Sequence, residues 1–256
     1  MRLSVIIPVY NERTTLPTVL VDVCAALPGV DKEIMIVDDG STDGTREWLH
    51  ANFPSGPRVA AAASLDDRGH LCFADHVNGA RTTFCPVYRK SNDGKGAALR
   101  DGFARASGDV FVIQDADLEY HPNDWGVMYS LIAERRVADV VYGSRFYGGA
   151  NRFLFLHHYL ANRVISFLFS VLYNQALTDI EVAYKMITAS VMRSLQLTSN
   201  DFGIEIEMSA GIVRQRDLRI REVTVSYCGR TYEEGKKVNW KDGVKALWYL
   251  LKFRFR

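Results

Sequence analysis

Short, unbroken apolar runs alternate with stretches of helical period through the first 145 residues of the chain. Residues 3–9, LSVIIPV, form one such run, and 33–37 and 109–113 repeat the pattern. Runs of this length, bounded by polar or turn-forming positions, predict strands buried on both faces. Between them, residues 14–27, 41–49, 95–106 and 127–135 predict helices, and 138–142 a further strand. Pro28-Gly29 ends the first helix, and Ser41 with Asp43 is expected to cap the second. Strands alternating with helices predict an α/β fold whose mostly parallel sheet is covered on both faces. Ligands of such sheets bind beyond the carboxyl ends of the strands. Those ends carry Tyr10-Asn11-Glu12, Asp38-Asp39 and Asp115-Ala116-Asp117, so three polar or acidic clusters are expected to converge on one edge.

Two regions depart from this rhythm. Residues 54–86 hold Pro54, Pro57, an alanine run and Asp66-Asp67-Arg68-Gly69 without a clear period. They read as a surface insertion, with a small hairpin as one form it can take, and with no assigned chemistry. Residues 153–173 are apolar enough for a long helix but carry His157, His158, Asn162 and Arg163 at mid-span. That pattern predicts an amphipathic helix lying on a surface rather than a membrane span. The adjacent His157 and His158 read as interfacial or core residues, not metal ligands. A basic strand follows at 218–227 and a last helix at 240–253. On that helix Val244, Leu247, Trp248 and Leu251 share one face, flanked by Lys241, Lys245 and Lys252. Such a face fits packing on its own domain and contact with a membrane equally well.

At 256 residues, 48% hydrophobic and 24% charged, the chain has the composition of a globular protein and needs no covalent or metal staple. A net charge of +1 gives no support for a nucleic-acid partner. Cys24, Cys72, Cys85 and Cys228 are scattered, which speaks against a thiolate metal site or a disulfide framework and suggests a reducing cytoplasm. The N-terminus reads as a buried strand rather than a signal peptide.

The chemistry concentrates at the predicted strand ends. Asp115, Asp117 and Glu119 follow the strand at 109–113, where alternation would put them on one side. Three carboxylates so close repel one another unless a cation is present, and Mg²⁺ or Mn²⁺ prefers such oxygen ligands shared with substrate phosphates. A solvated acidic turn fits the same residues; their place at a strand end favours the metal. Asp39 is positioned to accept from a base N–H or a ribose hydroxyl. Gly94-Lys95-Gly96 introduces a helix, so its N–H groups and Lys95 can meet a phosphate, although the P-loop spacing is missing and a plain flexible loop fits as well. Arg145 at another strand end, and Arg230 and Lys236 flanking 231–235, are candidate phosphate ligands. Each also fits a surface salt bridge.

Pro8-Val9-Tyr10-Asn11-Glu12, Asp38-Asp39-Gly40-Ser41-Thr42-Asp43, Lys95-Gly96 and Asp115-Ala116-Asp117 stand in the order found in family 2 glycosyltransferases of GT-A fold. The chain resembles that family over most of its length outside 54–86. Within it, the chain is most similar to the dolichyl- or polyprenyl-phosphate mannose (or glucose) synthases, in which Gly143-Ser144-Arg145 and Arg230 with Lys236 have counterparts. The resemblance implies one GT-A domain: a nucleotide-sugar half over 1–145 and an acceptor-binding, membrane-contacting half with amphipathic helices over 146–256. It implies that Pro8, Tyr10, Glu12, Val37 and Asp39 hold the nucleoside. Asp115, Ala116, Asp117 and Glu119 would surround the metal and diphosphate. Arg145, Arg230 and Lys236 would bind donor or acceptor phosphates, and Arg163 with Ser166 an acceptor phosphate. Two features depart from the pattern: Glu119 stands where several relatives have Gln, and the chain stops at Arg256 where many continue into transmembrane helices.

The expected activity is an inverting, metal-dependent transfer from a UDP- or GDP-hexose to a polyprenyl phosphate, with Asp117 and Arg145 at the catalytic centre. The expected location is cytoplasmic, peripheral on the inner face of the membrane. An ionised phosphate nucleophile needs no strong base, whereas a sugar hydroxyl acceptor does, and Asp179, Glu205 and Glu207 are the candidates. Alternatives are a polysaccharide synthase using a hydroxyl acceptor, a sugar-1-phosphate nucleotidyltransferase and a non-catalytic nucleotide- or lipid-binding protein. The nucleotidyltransferase would need a glycine-rich basic loop after the first strand, and Pro8-Val9-Tyr10-Asn11-Glu12 is not one. The intact acidic cluster argues against the non-catalytic reading.

Overall fold

The structure is a computed structural model describing residues 1–74, 80–147, 151–152, 154–231, 233–235 and 240–255, with backbone alone at 240 and 241. Its first half runs β1 (Leu3–Val9), α1 (Leu16–Ala25), β2 (Lys32–Asp38), α2 (Thr45–Asn52), β3 (Arg58–Ala60), β4 (Ala62–Leu65), β5 (Leu71–Ala74), β6 (Thr82–Tyr88), α3 (Lys95–Arg105) and β7 (Val110–Ile113). It continues with α4 (Trp125–Tyr129), β8 (Val140–Ser144), β9 (Asn151–Arg152), α5 (Leu156–Tyr173), β10 (Lys185–Thr188) and α6 (Ala189–Ser194). The last elements are α7 (Ile204–Val213), β11 (Ile220–Thr224), β12 (Tyr227–Cys228) and α8 (Trp240–Arg254).

One mixed sheet of eight strands has the order β11-β8-β10-β7-β1-β2-β6-β3. The inner strands β6, β2, β1 and β7 are parallel, so their carboxyl ends share one edge. β10 inserts antiparallel between β7 and β8, and β11 runs parallel to β8. β1 and β2 are buried along almost their whole length, which is why they read as apolar runs without alternation. α3 crosses β1 and β2 closely at Gly102, where a β-carbon would collide with Ile6 and press on Val37. Both predicted halves contribute to this sheet, since β10 and β11 come from beyond residue 145.

Three local expectations are corrected. The 54–86 stretch is a surface feature only in part: β4 and β5 pair as a separate hairpin that packs on α1, but β6 is an interior strand beside β2. Its polar Thr82 and Thr83 and its Pro86 break the apolar run that marks the other inner strands. Ser41 does not cap α2. Gly44 holds the N-cap position at φ 92°, the Asp43 carboxylate accepts the Thr45 N–H at 3.0 Å, and Ser41 Oγ accepts the Asn11 N–H at 3.0 Å. That last bond ties the ends of β1 and β2 together. The helix expected over 127–135 is α4 followed by a π-turn at Ser130–Glu134.

The opposite end of the sheet is fastened by a buried carboxylate, Glu33. It accepts hydrogen bonds from Ser4 Oγ at 2.5 Å, Gly108 N–H at 2.8 Å and Ser107 Oγ at 3.0 Å, and pairs with Arg2 at 3.2 Å. Burial pushes the Glu33 carboxyl up, but these donors and Arg2 outweigh it and hold the group below its ordinary range. Glu33→Gln should lower stability by about 2 kcal/mol at neutral pH, a Tm drop of roughly 5 °C. Because the folded pKa lies below the unfolded one, about 4.3, this stabilisation is complete above that value and fades as pH falls through the folded pKa. Thermal melts between pH 3 and 8 should show the gap between wild type and variant closing below about pH 4. A gap that stays constant into acid would mean that the charge is not its source.

Candidate active site

β2, β1 and β7 are neighbours, so the segments leaving their carboxyl ends meet above the sheet. There they border a cavity of about 980 Å³. Of the residues singled out from sequence, Pro8, Tyr10, Glu12, Asp39, Lys95, Asp115, Ala116, Asp117, Glu119, Arg145 and Arg230 line it. Val37 does not: its side chain is buried in the core against α3. Arg163 and Ser166 have different surroundings. Ser166 is buried and accepts the Ile180 N–H at 3.2 Å, whereas Arg163 is exposed with its guanidinium 5.4 Å from the Phe146 ring. Lys236 lies outside the described residues. His157 and His158, read as interfacial or core residues rather than metal ligands, both line the cavity, their ring centres 4.4 Å apart.

The acidic cluster is assembled by a turn rather than by strand alternation. β7 ends at Ile113, and Leu118 at φ 61° reverses the chain, with Asp117 Oδ1 accepting the Glu119 N–H at 3.1 Å. Asp115 is tied to Lys95 at 2.8 Å, Lys95 to Glu205 at 3.2 Å, and Glu205 to Lys185 at 2.5 Å. Burial pulls the Lys95 ammonium down, but Asp115 and Glu205 more than reverse it and hold it above its ordinary range. Glu119 accepts the Arg230 N–H at 2.8 Å and the Tyr227 hydroxyl at 3.1 Å.

Arg230 closes the site from the far end of the chain. Its two terminal nitrogens straddle Glu12 at 3.1 and 3.2 Å, and one also reaches Asp117 at 3.2 Å. Its Nε is buried with no hydrogen-bond partner among the described residues. Even so, burial first, then Asp115 and Glu119, push the Asp117 carboxyl up to about 7 despite Arg230. Glu12 and Asp117 share the Arg230 guanidinium, and the Glu119 carboxylate accepts the Arg230 backbone N–H. Among the described residues no three His, Cys, Asp or Glu side chains are arranged to hold a metal alone. The carboxylate oxygens of Asp115, Asp117 and Glu119 nevertheless fit a hard divalent cation that takes its other ligands from a bound phosphate.

Arg145 and Asp39 are paired as well. Arg145 forms a buried two-pronged bridge to Asp179 at 2.6 and 2.7 Å, which leaves Nη1 toward other partners. Asp39 accepts from Arg89 at 2.8 Å and from the N–H groups of Asp93 and Gly94 at 3.2 and 2.8 Å, so it shapes the loop that leads into α3. The three possible bases are all engaged: Asp179 by Arg145, Glu205 by two lysines, and Glu207 by Thr198 and Ser199 at 2.7 Å each. Sequence reasoning missed Glu181, which lines the cavity with a carboxyl that burial pushes up to about 7. It also missed Tyr227, which holds Glu119. Neither sits in a motif, and only the spacing of Glu181 two residues after Asp179 points toward the site.

Residues 4–62 and 74–195 match glycosyl transferase family 2, and the unmatched gap falls within the β4–β5 hairpin. The undecaprenyl-phosphate mannosyltransferase of Micrococcus luteus is 28% identical over 246 residues, covering 92% of this chain and 87% of that protein. The dolichol-phosphate mannosyltransferase of Pyrococcus furiosus is 34% identical over 150 residues, which cover 58% of this chain and 34% of that protein. Among solved structures, glucosyl-3-phosphoglycerate synthase from Mycobacterium tuberculosis, crystallised with Mn²⁺, UDP-glucose and phosphoglyceric acid, superposes with a TM-score of 0.68 at 18% identity. That superposition covers 99% of this chain and 80% of the other and shows the GT-A fold. The family match takes in all three strand ends that border the cavity, and the chain belongs to glycosyl transferase family 2.

Proposed function

We propose that the protein transfers a hexose from a UDP- or GDP-sugar to the phosphate of a polyprenyl lipid, with inversion, at a membrane surface. One observation carries this reading: the cavity that begins at the acidic cluster continues to the packed helices α5 and α8, where Leu160, Val164, Val244 and Leu247 line it. The outer faces of these helices carry Phe167 at 66%, Trp248 at 56% and Phe255, just beyond α8, at 84% exposure. An apolar patch of this kind marks a partner or membrane surface. Lys245, Lys252 and Arg254 beside it suit anionic headgroups. No helix among the described residues is long and apolar enough to cross a membrane. The names of the two mannosyltransferases support the same acceptor class. On this reading the protein lies peripherally on the cytoplasmic leaflet.

Within this reading, Pro8 and Tyr10 contact the nucleoside, and Asp39 holds the loop beside it through Arg89. Held by Asp115 and Asp117 together with the donor's diphosphate, Mg²⁺ or Mn²⁺ would neutralise charge on the leaving nucleoside diphosphate. Glu119 adds charge to that end while both its oxygens are held by protein donors. Arg230, beside Asp117, would supply positive charge to the phosphates, and Lys95 keeps Asp115 in place. Arg145, oriented by Asp179, offers Nη1 to an anionic acceptor. A lipid phosphate oxygen is already ionised and attacks the anomeric carbon without a base. That agrees with a site whose Asp179, Glu205 and Glu207 are all committed to other partners.

Two measurements test this. With radiolabelled UDP- and GDP-sugars, a short polyprenyl phosphate and Mg²⁺ or Mn²⁺, Asp117→Asn should lose about 10²–10³-fold in transfer while its circular dichroism is unchanged. Chelation should silence the wild type. A fully active, metal-dependent variant would remove Asp117 from the site, and donor hydrolysis without lipid product would redirect the acceptor to a hydroxyl. Separately, replacing Trp248 and Leu251 with Glu should weaken binding to anionic vesicles by about a hundredfold, roughly tenfold per apolar side chain. Transfer to a short, water-soluble acceptor should stay within about twofold, because neither residue lines the cavity. Undiminished vesicle binding would discard this face as the membrane contact.

A further inference from the structure

The acids that surround the middle of the cavity are almost all paired. Asp115 and Glu205 share Lys95, Glu205 also holds Lys185, and Asp179 holds Arg145. Glu181 is different. It lies between α5 and β10, lines the same cavity, and receives no hydrogen bond or ion pair from the described residues. Its charged neighbours are Arg145 with Asp179, and Lys185 with Glu205. The first pair belongs to the proposed acceptor side, and the second leads through Lys95 to Asp115 on the diphosphate side. A hexose bridging those two ends, with its diphosphate at Asp115 and its anomeric carbon facing an anion at Arg145, presents its ring hydroxyls to this middle wall.

We propose that Glu181 binds a hydroxyl of the donor sugar and thereby selects which hexose the enzyme accepts. This rests on the nucleotide-sugar reading above. A free carboxyl between two neutralised ion pairs has no structural bond to lose on binding. It offers two acceptor oxygens, to which a pair of ring hydroxyls can donate. Burial holds Glu181 near neutrality, so it can also donate one proton to a ring oxygen. Sites that hydrogen-bond a substrate hydroxyl reject the analogue lacking it far more strongly than apolar pockets discriminate by size. Tyr120 and Tyr227, with ring centres 5.3 Å apart, also line the cavity and supply faces against which a sugar ring can pack.

Calorimetric titration separates the sugar from the nucleotide. Wild type, Glu181→Gln and Glu181→Ala are titrated with UDP and GDP, with the matching UDP- and GDP-hexoses, and with their deoxyhexose analogues, all with Mn²⁺. Nucleoside diphosphate affinity should be unchanged within about twofold, whereas affinity for the cognate nucleotide-hexose should fall at least about tenfold in Glu181→Ala. Glu181→Gln should recover part of it, and the wild-type preference for the hexose over one deoxy analogue should collapse in Glu181→Ala. Retention of that preference would overturn the assignment. So would a lost turnover with unchanged donor affinity, the mark of a base acting on a hydroxyl acceptor. Absence of any nucleotide binding by the wild type would overturn the donor reading, and this assignment with it.

Discussion

The site depends on a row of alternating charges, half-buried at Asp115 and Lys95 and buried at Glu205 and Lys185, in contact from end to end. It links the turn after β7, the first residue of α3, the first turn of α7 and the first residue of β10. Each charge taken from water costs several kcal/mol, and only its neighbours on the row offset that cost. Such a row is poor evidence of stability, because well-packed apolar groups could replace it, but no single member can be removed without stranding another. Its consequence is positional. Lys95 fixes Asp115 from one side, while the next carboxylate in the turn, Asp117, lines the cavity and takes Arg230 as its counter-charge. Gly96 lets α3 begin against the 199–201 backbone, where a β-carbon would collide with the Ser199 carbonyl, and the Ala97 N–H donates to the Asn200 carbonyl at 3.1 Å. The close approach of α3 to that segment is thus what brings Lys95 to Glu205.

The donor end is completed from far along the chain. Arg230 reaches back 218 positions to Glu12 and also touches Asp117, so it stands as the counter-charge of both. It is held there through the backbone: its N–H and that of Cys228 donate to the side chain and carbonyl of Glu119, and β12 pairs with β9. A nucleotide half and an acceptor half are therefore useful as names for regions, but the charged site belongs to neither. Residues of the C-terminal part neutralise acids that the N-terminal strands deliver.

What could be read from sequence follows from how local the cause is. β1, β2 and β7 declared themselves because strands buried on both faces must be apolar throughout, and the acidic groups were found because they follow those runs. β6 is an equally interior strand, yet its threonines and Pro86 erased the signal. Val37 and Ser166 illustrate a second limit. Both lie in elements that border the site, but the direction of a side chain from its strand or helix decides whether it meets ligand or core, and both face the core. A third limit concerns charge. Nothing in the order of residues says that Asp179 engages Arg145, or that Glu205 lies between two lysines, so the unpaired Glu181 could not be told from its paired neighbours.

The last helix shows why two readings of one apolar face stayed open. Val244, Leu247, Trp248 and Leu251 share a face, as their spacing required, but that face is exposed. Ala246, Leu250 and Phe253 form a second stripe, buried in the core beside α5. A helix apolar on two sides has a second surface to cover after folding is complete. α5 repeats the arrangement, with Ile165 and Phe169 inside, Phe167 and Val171 outside, and Leu160 and Val164 exposed at the cavity wall. Because these helices also wall the cavity, covering their outer face with lipid would bring the cavity mouth to the headgroup layer. A phosphate could then enter from that layer while its hydrocarbon chain stayed outside. On the proposed reading, the layer that covers the exposed apolar surface is also the one that delivers the acceptor, so one face serves both attachment and supply.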